Sequence, residues 1–144
     1  MADAEKLRLI EQSLLRAAEQ IEDLTAPVMA RLDARFPAAA GAFDHHGLGK
    51  PDKLRAEMMD NLIYCMMTWF ERPDEVRILL FGSVPHHHET LHVHADWYAG
   101  LLEAGIDVIA ETVPPDASDE RAAWDAMREG MRLAVAEARF GLVG

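Results

Sequence analysis

Five of the seven histidines in this 144-residue chain stand close together, as His86-His87-His88 and His92-Val93-His94. Imidazole is the commonest side-chain metal ligand and the one that changes charge near neutral pH. His88 and His92 are four apart, one helical turn, so they could share a transition-metal ion on the surface or send one ring inward. Cys65 is the single cysteine, which excludes a disulfide within the chain and any zinc or iron–sulfur site built from thiolates alone. Metal chemistry here has to run through histidine. His45 and His46, with Lys50 and Lys53 close behind, read as a solvated polar loop. Met58, Met59, Met66 and Met67 share one apolar run with Tyr64 and Cys65, and on a helix such thioethers mostly fill gaps in a core.

The elements that would position these residues are helical throughout. Proline and glycine break the chain near 37, 47–51, 73, 82–85 and 114–115, and between the breaks the apolar period is that of a helix. Leu7, Ile10, Leu14, Leu15, Ala18 and Ile21 predict a helix over 3–21. Thr25 is placed to cap a second one, with Pro27 in its first turn and Val28, Met29 and Leu32 inward, ending at Pro37. Asp52 is placed to cap a long helix whose inner face is Met58, Met59, Leu62, Ile63, Met66, Met67 and Phe70. Pro73 and Asp74 open a short helix through Val76, Ile78, Leu79 and Leu80. Another helix is expected from about His94 to Thr112, carrying Trp97, Leu101, Leu102, Gly105, Ile106 and Ile109 up to Pro114-Pro115. Ser118 or Asp116 is placed to cap a last one, with Trp124, Met127, Met131, Val135 and Phe140 along its stripe. The fold class expected is all-α, with seven or eight helices in a single domain over 1–144.

Three stretches in this order resemble the globin family, and bacterial single-domain globins in particular. In Met29-Ala-Arg-Leu-Asp-Ala-Arg-Phe-Pro-Ala-Ala-Ala-Gly-Ala-Phe43, Leu32, Pro37 and Phe43 match the helix B leucine, the proline that opens helix C and the phenylalanine that packs on haem. In His88-Glu-Thr-Leu-His-Val-His-Ala-Asp-Trp-Tyr98, a histidine precedes an aromatic residue of the next helix by the gap seen in bacterial globins. Ala123-Trp124 matches the pair that begins helix H in many of them. The resemblance implies a globin fold around one haem b, with His88 as the proximal iron ligand and His92 as a propionate partner. It implies haem contacts for Met29, Phe43, Met58, Met59, Leu62, Leu80, Phe81, Val84, Leu91, Val93 and Tyr98, and rim contacts for His46 and Lys53. Haem needs such a set: a neutral imidazole, an apolar slot and donors for two propionates.

On the distal side the resemblance puts Met29 where many bacterial globins have a tyrosine. It puts Met58 at the distal position of the long helix, with Met59 the rival one residue on. Neither offers a hydrogen bond to bound dioxygen, and losing one to a charged acceptor costs roughly 1.5–3 kcal/mol, about 10- to 100-fold in affinity. The implied function is reversible binding of a diatomic gas, O2, CO or NO, at ferrous iron, more a carrier or sensor than an enzyme. Two alternatives stay open. One is a haem redox enzyme, an NO dioxygenase or peroxidase-like protein, which would need an external reductase. The other is a haem-free globin-like sensor. A methionine sulfur as sixth iron ligand is a further possibility.

Composition narrows the partners. The 25 acidic against 14 basic residues give a formal charge of -11, which argues against nucleic acid and anionic lipid. No apolar run approaches the roughly 20 residues that span a bilayer. The first residues, Met1-Ala-Asp-Ala-Glu, carry acid where a secretory signal carries base, so the expected location is the cytoplasm. The charge says nothing of oligomeric state.

Overall fold

The computed structural model of the chain describes residues 2–38, 51–80 and 95–140. Among these there are six helices and no strand, so the described part is all-helical, as the periodicity predicts. The elements are α1 (Asp3–Gln20), α2 (Thr25–Arg35), α3 (Pro51–Thr68), α4 (73–80), α5 (Ala95–Ala110) and α6 (Ser118–Phe140). α5 is the central one, packed between α2 and α6; α1 lies along α6, and α3 touches α1, α2 and α5. Trp124, Ile10, Leu32, Met66, Ile106, Ile109, Met127 and Met131 are the large side chains wholly inside.

Several start signals act differently from expectation. Thr25 is not the cap of α2 but its first helical residue, following Leu24. The side chain that catches a free amide there is Asp23, whose Oδ1 accepts the Thr25 N–H at 3.0 Å, an acid at the positive end of the helix dipole. Asp52 lies inside the first turn of α3, which starts at Pro51. In α6 the first residue is Ser118, and the carbonyl of Ala117 takes the Arg121 N–H at 3.2 Å, so Ala117 holds the cap position instead of Ser118 or Asp116. The stops behave as read: Phe36 closes α2 just before Pro37, donating its N–H to the Leu32 carbonyl.

The inner faces are narrower than the apolar residues suggest. In α1 the inward residues are Ile10, Ser13 and Ala17, while Leu15 is 68% exposed and Ala18 faces out. Ser13 can be buried because its hydroxyl donates to the Leu9 carbonyl one turn back, at 3.0 Å. In α3, Met59, Leu62 and Met66 point in, Met58, Ile63 and Phe70 flank them, and Met67 is 45% exposed. In α4, Val76 and Leu80 are buried four residues apart, which turns Ile78 out to 71% exposure and takes Leu79 outward too.

Two glycines allow close approach. At Gly105 of α5 a Cβ would stand 2.6 Å from Leu62 Cδ2 and 3.1 Å from Met66 Cε. At Gly130 of α6 the place of a Cβ is taken by the Trp69 ring, which also carries the Arg77 guanidinium, 5.2 Å from the ring centroid. The neighbours differ in their ability to give way. Leu62 and Met66 offer the ends of flexible chains, whereas a buried indole must move as a plate. Gly130→Ala is therefore expected to destabilise by about 1–3 kcal/mol through overpacking, and Gly105→Ala by less, since alanine restores about 1 kcal/mol of helix propensity. Urea unfolding midpoints of the two variants check the order; equal losses would contradict it.

Candidate functional site

A row at alternating spacings of four and three runs along α3 and one residue past its end: Arg55, Met59, Leu62, Met66 and Trp69. Side chains so spaced share one side of a helix. Four of the five are buried, Met59 with only 2% of its surface exposed. On α2, Val28, Met29 and Leu32 are the buried residues. Met29 and Met59 thus belong to the apolar interior of two touching helices. One turn after Met29 on α2 and one turn before Met59 on α3, the charged residues Asp33 and Arg55 pair.

Arg55 is the charged member of an otherwise apolar row, and its side chain is 19% exposed against 33% for Asp33. Its guanidinium stands 3.8 Å from Asp33 Oδ2 and 3.6 Å from Asp52 Oδ1, ion-pair distances beyond hydrogen-bond length. Asp33 Oδ1 is buried and accepts no hydrogen bond among the described residues. The sequence reading passed over both residues. The signal that would have found Arg55 was in plain view: a cation in register with Met59 and Leu62.

Of the residues expected around a haem, Met29, Met59, Leu62 and Leu80 are buried, Met58 is half-buried against the core, and Lys53 is exposed in the first turn of α3. Tyr98 falls in the first turn of α5, with its side chain outside what is described. Phe43, His46, Phe81, Val84, His88, Leu91, His92 and Val93 lie outside the described residues, as do the other four histidines. Among the described residues no three His, Cys, Asp or Glu side chains gather as a metal site, and no helix is long and apolar enough to cross a membrane. Cys65 is half-buried, and burial pushes its thiol up from the ordinary range, so it stays protonated and a poor nucleophile.

A groove of about 530 Å³ lies beside α5, lined by Arg35, Phe36, Ala99, Gly100, Glu103, Asp107 and Arg128. Its polar groups satisfy one another. Asp107 accepts from Arg35 at 2.7 Å and from Arg128 at 2.6 Å, and Glu103 accepts from Arg132. The chain of pairs ties α2, α5 and α6 together. The opposite end of α6 has a drier counterpart: Arg16 of α1 donates two 2.8 Å hydrogen bonds to the carboxylate of Glu120, which is 3% exposed. Such a fork-on-fork pair satisfies an acid that could not otherwise be buried.

No family model, no curated protein and no solved structure matches this chain.

The groove sets a pH dependence. Burial pushes the Asp107 carboxyl up, but its hydrogen bonds and attraction to Arg35 and Arg128 outweigh that and hold it below the ordinary aspartate value. The unfolded chain then binds this proton more readily than the folded one. The stabilisation is complete above the unfolded value, about 3.9, and is lost as pH falls through the lower folded value. Urea midpoints measured from pH 6 down to pH 3 are expected to fall less steeply in Asp107→Asn than in the native chain. Parallel profiles would show that Asp107 is not held in this way.

Proposed function

We propose that this chain is a haem-binding protein of the globin type, which takes up a diatomic gas beside an apolar wall of Met29, Met59 and Leu62. The observation that carries the reading is that wall: buried methionines and a leucine on two touching helices, α2 and α3, in an all-helical chain whose histidine cluster falls between α4 and α5. The described members of the expected set suit a macrocycle, since Met29, Met59, Leu62 and Leu80 present carbon and sulfur and no unsatisfied donor.

In this reading haem b supplies a ferrous iron able to accept O2, CO or NO. His88 would hold the iron through a ring nitrogen, while His92, His46 and Lys53 would meet the propionates. Met29 and Met59, with Met58 at their edge, keep water out of the gas side and donate no hydrogen bond. Retention of dioxygen would then rest on packing alone, so release is fast and oxidation to the ferric form easy. An external reductase would be the partner that returns the protein to its ferrous form. The fold proposed around this site is the globin fold.

The visible spectrum of the purified protein tests the reading. A Soret band is expected, shifting with dithionite and again with carbon monoxide, and His88→Ala should retain no more than about a tenth of the haem, because the imidazole is the protein's bond to iron. Stopped-flow release of dioxygen is expected to be about 10- to 100-fold faster than in a site with a hydrogen-bond donor. A colourless protein overturns the proposal; normal haem content in His88→Ala moves the ligand to His86, His87 or His92.

A further inference from the structure

We draw no further inference here: the strongest candidate, the outward apolar surface of α3 and α4 where Tyr64, Ile78 and Leu79 are exposed, carries nothing because nothing in the structure shows what covers it.

Discussion

Two helices lean on α5 where it has almost no side chain to hold them off, and the rest of the arrangement follows from that close approach. Phe36, at the end of α2, fills the space over Gly100, and Leu62 and Met66 of α3 fill the space over Gly105, with the buried Ala104 between. Dispersion forces fall off steeply with distance, so this close approach is what the contact gains from the two glycines. Once α2 and α3 are both seated on α5, their mutual register is set. Met29 and Met59 then share the interior, and Asp33 meets Arg55 at the next turn. The candidate site is a consequence of packing on a third helix that contributes no polar group to it.

The chain's excess of acid is handled by placing cations between helices. Arg16 crosses from α1 to α6, Arg35 from α2 to α5, Arg128 and Arg132 from α6 to α5, and Arg55 from α3 to α2. Arg31 adds a pair to Glu111 just beyond α5. Each bridge brings a carboxylate on another helix under a guanidinium, so local repulsion is relieved where elements meet. Exposed pairs of this sort contribute little each. Their value is in choosing which helix faces meet, as a wrong register would set like charges together.

Helix existence and extent were legible in the sequence, because apolar period and proline breaks are local signals: α1, α2, α4, α5 and α6 run within about two residues of expectation. Facing was less legible. Counting Leu15, Met67 and Ile78 as inward made each stripe too wide, since hydrophobicity alone cannot say how narrow a face the neighbouring helix leaves. Capping was misread at Thr25 and Asp52 for a related reason: residue type proposes a cap, but backbone entry decides it, and Asp23 was better placed. The burial of Met29, Met59 and Leu62 could be read from the apolar period. Arg55 was legible as a cation in register with Met59 and Leu62, but its ion pair with Asp33 on another helix was not, because pairing across helices is no local signal.

The two ways in which α6 is fastened differ in how they meet dissolved salt. Along the groove, Asp107, Glu103 and their arginines sit at the water's edge, within reach of counterions whose screening length at physiological strength is about 8 Å. At the far end, Glu120 lies inside the protein, gripped on both oxygens by Arg16, where mobile ions do not penetrate. Concentrated salt would therefore relax the seam joining α2, α5 and α6 while leaving α1 clasped to the start of α6. Loosening by salt would begin at the end of the molecule that holds the groove, and the helix would part from its neighbours in one direction only.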